Sequence, residues 1–209
     1  MKKIVTLIAL AFGLQQADAQ RMSSLFAAMP DTILPMLTKV NRLDCIDFMA
    51  SNMPAIVQNI FDGKSEMKAL TENYLLMNMT SQSNIEMKVL PVNDSASVIC
   101  MVTTFMGPGA ESEIRFYDTS WKRLDANQYL LSPNFNSFWI KSDTCDANKL
   151  AMIKSKVEIP LIRASLSPLT ADLVFTLSLD DLPEESRKQI EPYLLPKLSY
   201  HWTQKKFLP

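Results

Sequence analysis

The sequence has few of the residues on which common catalytic and cofactor chemistry depends. It contains one histidine, His201, and four glycines among 209 residues. A zinc site built from several histidines is therefore excluded, and a site made only of carboxylates would select a harder ion. Phosphate-binding loops need several glycines, because the backbone must approach the phosphates closely. We therefore expect no metal site and no cofactor.

Cysteine is also scarce. The three cysteines, Cys45, Cys100 and Cys145, allow at most one disulfide within the chain, and whether any pair forms stays open. Cys45 falls in a helical pattern and Cys100 in a run of β-forming residues, so both are predicted to be small core residues. Cys145 precedes a predicted helix, which favours a thiolate, but Asp143 and Asp146 oppose it.

Neither sign of charge dominates the chain, and long apolar runs are missing. There are 21 basic and 22 acidic residues, and the formal net charge is −1. A nucleic-acid-binding protein would show a basic face, so we expect no nucleic-acid partner. No segment after the first residues has the apolar length needed to cross a membrane, and we expect no stable membrane insertion.

The N-terminus has the three parts of a secretory signal peptide. Lys2 and Lys3 precede an apolar stretch over 4–14, and Ala17-Asp18-Ala19 has the small-x-small pattern that signal peptidase cuts. The apolar stretch is too short for a membrane span, which needs about 20 residues. We therefore expect cleavage after Ala19, and a single exported domain over residues 20–209.

Hydrophobic periodicity predicts an α+β fold. Helices are predicted over 21–29 and from Asn41 to Asp62-Gly63, the second kinked or split at Pro54. From Glu66 to Tyr117 the period is 2, which predicts antiparallel strands with 98–106 at the centre. A helix over 146–157, a hairpin over 162–179, a helix after Pro183 and a strand over 198–202 follow. This order predicts antiparallel sheet covered by helices on one side.

The chain is rich in methionine, with 13 residues of this type. Soft-metal binding would need closely spaced methionines, and only Met77-Asn78-Met79 has such spacing. Both of its methionines fall on one face of a predicted strand. We therefore interpret the methionines as adaptable core residues.

An enzyme built on this sequence would depend on His201 or Cys145. No nucleophile-elbow pattern occurs, and His201 is predicted to face solvent in the last strand. The acidic pairs Asp180-Asp181 and Glu184-Glu185 are explained by a helix N-terminus, where the helix dipole favours negative charge.

The segment over 121–139 is aromatic and has no clean period. Core packing and an exposed recognition surface both stay open for it, because aromatic residues are enriched in cores and at interfaces alike. The candidate ligand-binding residues are Trp121, Tyr129, Phe138 and Trp139. The main hypothesis is a non-enzymatic binding or interaction module for a protein, peptide or glycan. The alternatives are a hydrolase or thiol enzyme using His201 or Cys145, and a structural subunit of an envelope complex.

Several sequence blocks resemble those of a known family. They are Met29-Pro30-Asp31, Asn41-Arg42-Leu43-Asp44, Ile46-Asp47-Phe48-Met49, Asp62-Gly63-Lys64-Ser65-Glu66-Met67 and Tyr117-Asp118-Thr119-Ser120-Trp121. With these blocks the chain resembles domain-of-unknown-function family 3256, which comprises exported proteins of Bacteroidales. The resemblance implies a location in the periplasm or at the cell surface. The family has no assigned activity, so no site residue carries over.

The implied lineage also suggests a modification. Such bacteria attach O-glycans to exported proteins at tripeptides of Asp, Ser or Thr, and a small apolar residue. Asp31-Thr32-Ile33 and Asp94-Ser95-Ala96 fit this pattern. A bulky glycan needs an exposed hydroxyl, and Ser95 lies in a predicted turn between two strands. Ser95 is therefore the first candidate, and Thr32, which begins an apolar stretch, is the second.

Overall fold

The computed structural model describes residues 21–140 and 147–209. The predicted signal peptide and Cys145 lie outside the described residues.

The described residues form four α-helices and eleven strands, and they confirm the predicted α+β class. The helices are α1 (Arg21–Ala28), α2 (Lys39–Ala50), α3 (Ala147–Lys154) and α4 (Glu184–Ile190). A large antiparallel sheet follows chain order: β1 (Ala55–Gln58), β2 (Lys64–Leu70), β3 (Tyr74–Thr80), β4 (Ser83–Pro91), β5 (Ser97–Met106), β6 (Ala110–Asp118) and β7 (Arg123–Leu124). A small antiparallel sheet has the order β11-β10-β9-β8 and consists of β8 (Leu161–Leu166), β9 (Asp172–Ser178), β10 (Leu198–Thr203) and β11 (Lys206–Leu208).

Helix α2 is shorter than the sequence predicts. It begins with a capping box: the Thr38 hydroxyl accepts from the Asn41 amide at 3.2 Å, and the Asn41 side chain accepts from the Thr38 amide at 3.1 Å. It ends at Ala50, and the predicted continuation through Pro54 is wrong, because Ala55–Gln58 is strand β1. Proline disfavours helical backbone in the residue before it and cannot donate within a helix.

The strand predictions for the centre of the large sheet are confirmed. Strand β5 lies between β4 and β6, and most of its residues are buried on both faces. The predicted turn before β5 is closed by Asn93, whose side-chain oxygen accepts from the amides of Ser95 at 2.9 Å and Ala96 at 2.8 Å.

One face of the large sheet packs against α1 and α2. The buried residues of this cluster include seven methionines: Met22, Met29, Met67, Met77, Met79, Met87 and Met101. Unbranched side chains of this kind fill an irregular space between helices and sheet. These seven methionines are core residues.

The other face of the large sheet packs against the small sheet. Cys100, Val102 and Phe116 of the large sheet belong to one buried cluster with Leu173 and Phe175 of the small sheet. The chain therefore has a layer of helices, a layer of seven strands and a layer of four strands. Helices α3 and α4 contribute to a third cluster around Trp139.

The periodicity of helix α3 predicts Ala147, Leu150, Ala151 and Met152 as core residues, and for Ala151 and Met152 this prediction is wrong. Ile153 and Val157 are buried, whereas Ala151 and Met152 are exposed. The segment offers two adjacent apolar stripes. Packing beside α4 and Trp139 selects the one formed by Leu150, Ile153 and Val157.

Strand β8 is at the edge of the small sheet. Side chains of the large sheet bind its free backbone groups. The Ser112 hydroxyl accepts from the Ala164 amide at 2.9 Å and donates to the Ala164 carbonyl at 3.3 Å. The buried Glu86 carboxylate accepts from the Leu166 amide at 2.9 Å and from the Tyr74 hydroxyl at 3.1 Å. These bonds satisfy backbone groups that would otherwise leave an open sheet edge.

Candidate functional site

Three of the four aromatic candidates lie in the core. The exposed fractions are 0% for Phe138, 5% for Trp139 and 6% for Trp121. Trp121 donates from its indole nitrogen to the Leu25 carbonyl at 3.0 Å and so holds α1 on the large sheet. The fourth candidate, Tyr129, is half-buried and stacks on Phe116 and Trp202. Trp121, Phe138 and Trp139 therefore offer no exposed face to a ligand.

Phe138 and Trp139 instead position a neighbouring segment. The Phe138 carbonyl accepts from the Leu195 amide at 2.8 Å, and Trp139 forms an isolated bridge with Leu194. The Trp139 ring packs edge-on against Phe135, with ring centroids 5.4 Å apart. The aromatic segment thus fixes the backbone over 193–195, which forms one wall of the cleft described below.

His201 lies on the exposed side of β10. Its Nδ1 is 2.8 Å from an oxygen of Asp172, and the second Asp172 oxygen accepts from the Thr170 hydroxyl at 2.7 Å. The hydrogen bonds from Thr170 and His201 hold the pKa of Asp172 below its ordinary value. The His201 side chain is 58% exposed. This pair is a surface contact, and Cys145, the other half of the enzyme hypothesis, lies outside the described residues.

Cys45 and Cys100 are free thiols in the core, and both have an exposed fraction of 0%. Burial raises the pKa of Cys45 to about 11 and raises the pKa of Cys100 as well. A buried thiol that stays protonated is a poor nucleophile. These two cysteines are core residues, as the sequence predicts.

The sequence blocks that carry the family resemblance have structural roles. Arg42 has an exposed fraction of only 1%, and its guanidinium donates to the carbonyls of Phe26 (3.1 Å), Met29 and Leu37 (2.8 Å) and to the Asp31 carboxylate (2.8 Å). It therefore joins the end of α1, the connecting loop and the start of α2. Two of the blocks, Met29-Pro30-Asp31 and Asn41-Arg42-Leu43-Asp44, meet in this one network.

Two further blocks form turns of the large sheet. Asp62 has a positive φ of 60° in the turn between β1 and β2, and the buried Ser65 hydroxyl donates to the Met79 carbonyl at 2.7 Å. In the other block the Asp118 carboxylate accepts from the amides of Ser120 (2.9 Å) and Lys122 (3.0 Å). Both turns hold strands and helices in place.

The strongest candidate is a charged cleft of about 460 Å³ over the outer face of the small sheet. Arg163 of β8 and Thr176 of β9 are directly paired. Both lie on the outer face, because their neighbours Ala164 and Phe175 belong to the buried cluster between the sheets. The opposite wall is formed by α4 and the residues over 191–196. The apolar residues of the lining are Ala110, Leu177, Leu179, Leu194, Leu195 and Pro196.

The cleft holds charges of both signs. Arg163, Arg187, Asp180 and Glu191 all line it. Within the described part of the chain, none of the four has an oppositely charged side chain within 4.0 Å. The Asp180 carboxylate accepts from the Ser178 hydroxyl at 3.3 Å, which orients it.

Arg187 is the most informative of the four residues. It is half-buried, and its Nε is shielded from solvent without a hydrogen-bond partner among residues 21–140 and 147–209. An unsatisfied buried donor costs about 1–3 kcal/mol. A guanidinium that is partly stripped of water and unpaired attracts an anionic group more strongly than a hydrated one.

Two other cavities have less chemistry to offer. An apolar groove of about 590 Å³ lies between α1, α2 and the end of β2, and Glu72 is the one charged residue of its lining. A second cleft, of about 450 Å³, lies beside β6 and the segment over 126–133, and Glu111 is its one charged residue. Neither of them brings cations and anions together.

Over the described ranges, no group of three or more His, Cys, Asp or Glu side chains is arranged to hold a metal ion. No helix of the described residues is both long enough and apolar enough to cross a membrane.

The sequence alone does not predict the cleft. Its charged residues, Arg163, Asp180, Arg187 and Glu191, come from separate parts of the chain and line one space only in the folded protein. Periodicity places Arg163 on the polar face of a strand, where a charged residue is ordinary.

Comparison with known proteins agrees with the family resemblance. A solved structure described as a domain of an uncharacterized protein from Porphyromonas gingivalis W83 is similar to this chain, with a TM-score of 0.78 and 26% sequence identity. The match covers 91% of this chain and 98% of that chain. Comparison with curated proteins gives no match. Residues 14–207 match the family described as "Protein of unknown function (DUF3256)", and the chain belongs to that family.

Proposed function

We propose that the protein is an exported, non-enzymatic binding module of the bacterial cell envelope, and that the charged cleft is its binding site. The observation that supports this function is the pair of arginines, Arg163 and Arg187, which line one cleft without an ion pair in the described chain. The guanidinium fork matches a carboxylate in a two-point hydrogen bond. The ligand is therefore a small molecule or a peptide that carries a carboxylate.

The shape of the cleft also supports a binding role. Its volume falls within the range of small-molecule sites, roughly 300–1,000 Å³, and its polar groups are set among apolar side chains. The wall over 193–195 is held by backbone hydrogen bonds to 138–140. A wall fixed in this way loses little freedom when a ligand binds, which favours affinity.

The test is a titration of the purified protein with trialanine and with galacturonate, followed by protein NMR. We expect saturable shifts at cleft residues with at least one of the two carboxylates. The double variant Arg163→Gln/Arg187→Gln should lose them, because the amides remove both cations and keep much of the shape. The control Arg123→Gln changes an exposed arginine of β7 outside the cleft. Saturable shifts that persist in the double variant, or their absence with both probes, would refute the proposed site.

Export is tested separately. The protein isolated from its native host should begin at Gln20 in mass spectrometry, because Ala17-Asp18-Ala19 offers the cleavage pattern. Fractionation should recover it from the periplasm or the cell surface. A chain that retains residues 1–19 on most molecules would contradict the signal-peptide prediction.

The glycosylation prediction also concerns the native protein. Thr32 and Ser95 are both exposed, so a glycan at either position would meet no burial cost. We expect glycopeptide analysis to find a modified peptide containing Ser95, and a second one containing Thr32. Thr119 is a matched control, since it is exposed and follows Asp118 but precedes a serine rather than an apolar residue. If the peptides containing Ser95 and Thr32 are both found entirely without glycan, the glycosylation prediction is wrong.

A further inference from the structure

We infer that the charged cleft recognises a zwitterion, namely the free carboxylate and the free ammonium of a short peptide. This inference rests on the proposed function and specifies its ligand. In this arrangement Arg163 and Arg187 hold the carboxylate, and Asp180 and Glu191 hold the ammonium. The geometry that points to it is the presence of two cations and two anions in one cleft without mutual ion pairs in the described chain.

The two cations of the cleft come from separate elements. Arg163 rises from the outer face of β8, and Arg187 comes from α4 on the opposite wall. The shielded Nε of Arg187 lacks an acceptor in the described part of the chain. A carboxylate placed between the two guanidiniums gains charge-assisted hydrogen bonds from both. A neutral amide at the same place would leave the arginines unpaired.

The two acids of the cleft also have no ion pair within 4.0 Å in the described part of the chain. Asp180 follows β9 directly, and its carboxylate is oriented by Ser178. Glu191 begins the short 3₁₀ turn that follows α4 and is exposed. Lys188 of α4 pairs with Glu184 at 2.6 Å instead of turning towards Glu191. Two carboxylates without cations in a cleft suit an ammonium, which offers three donors.

The apolar lining discriminates among zwitterions. Leu177, Leu194, Leu195 and Pro196 line the same space as the charges. Small apolar side chains of a peptide can pack on them. A second carboxylate, as in a dicarboxylic acid, would meet the like charges of Asp180 and Glu191. The lining therefore suits a peptide with small apolar residues.

The test is isothermal titration of the purified protein with four probes. They are trialanine, N-acetyl-trialanine, trialanine amide and galacturonate. Trialanine should bind, and loss of either terminal charge should weaken binding by about two- to fivefold, the size of one solvent-exposed ion pair. Galacturonate should bind more weakly than trialanine, because it lacks the ammonium.

Variants test which pair of cleft residues binds each terminal charge of the peptide. In Asp180→Asn/Glu191→Gln, trialanine and N-acetyl-trialanine should bind alike, because the acids that bind the ammonium have been removed. In Arg163→Gln/Arg187→Gln, trialanine and its amide should bind alike. Glu185→Gln, an exposed change on α4 outside the cleft lining, should leave the affinities unchanged. Circular dichroism of each variant checks that the fold is kept.

The outcomes separate this inference from the function on which it rests. If N-acetyl-trialanine binds as tightly as trialanine, the cleft does not recognise the ammonium. This inference then fails, and the proposed carboxylate site stands. The same holds if galacturonate binds and trialanine does not. If none of the four probes binds, the inference and the proposed site fail together.

Discussion

Replacing Arg42 with methionine should lower the free energy of unfolding by about 3–5 kcal/mol, the loss usual when one partner of a buried charged network is removed. The guanidinium donates to three backbone carbonyls and to Asp31, and its exposed fraction is 1%. Methionine fills much of the volume but donates no hydrogen bond. The carbonyls of Phe26, Met29 and Leu37 would then lose their donor, at about 1–3 kcal/mol for each group that stays unsatisfied.

Lysine at this position should restore only part of the loss. Its ammonium is a point charge on a flexible stem, whereas the guanidinium directs donors along fixed lines. Since the carbonyls lie at the end of α1, in the loop and before α2, one ammonium cannot satisfy all of them. We expect Arg42→Lys to be destabilised by about 2 kcal/mol, between the wild type and the methionine variant.

Urea denaturation followed by circular dichroism measures both effects. Arg123→Met is the matched control, because Arg123 is an exposed arginine at the edge of the large sheet. It should change the free energy of unfolding by no more than about 0.5 kcal/mol. If Arg42→Met and Arg123→Met unfold at the same urea concentration, then the Arg42 network does not stabilise the packing of α1, the loop and α2.

Local rules were sufficient for most of the large sheet. The period of 2 over Glu66 to Tyr117, interrupted by turn residues, correctly predicted the strands around β5. Hydrophobic periodicity gave the wrong prediction around Pro54, because the apolar residues there fit a helical stripe as well as a strand. These residues are Met53, Ile56, Val57 and Ile60. Val57 is buried and Ile56 exposed, which is the alternation of β1. In a segment this short the two periods cannot be told apart.

The functional candidates needed three-dimensional contacts. Nothing local to Arg42 indicates that this charged residue is buried, because its acceptors are carbonyls of other elements. The cleft also has no local sequence signal. Arg163, Asp180 and Arg187 come from three parts of the chain and line one space only after the small sheet has folded. For the aromatic residues the sequence allows both a core and a recognition surface, because it does not distinguish a buried tryptophan from an exposed one.

Replacing Glu86 with alanine should lower the free energy of unfolding by about 2–4 kcal/mol, by the loss of two hydrogen bonds and the opening of a small cavity. The carboxylate joins the two sheets, since it accepts from the Leu166 amide on β8 and from the Tyr74 hydroxyl on β3. In the alanine variant both donors stay buried without an acceptor. Glu86→Gln should be far milder, because an amide oxygen can accept the same two hydrogen bonds.

The glutamine variant should also remove a dependence of stability on pH. Burial raises the pKa of Glu86 above its ordinary value of 4.5, against the lowering effect of the bonds from Leu166 and Tyr74 and of the Arg163 charge. The folded protein therefore holds the Glu86 proton more tightly than the unfolded chain does. The stability that this proton contributes is fully present below the unfolded pKa and is lost as pH rises through the folded pKa. Glutamine does not titrate, so it gains on the wild type as pH rises.

The measurement is the difference in free energy of unfolding between Glu86→Gln and the wild type, taken by urea denaturation at several values from about pH 4.5 to about pH 8. Other groups titrate alike in both proteins, so their effects cancel in the difference. We expect the difference to move in favour of glutamine as pH rises and then to become constant. Glu111→Gln, a change at an exposed glutamate of β6, should give a flat difference over the same range. A flat or opposite trend for Glu86→Gln would mean that the ionised carboxylate is as well accommodated between the sheets as it is in water.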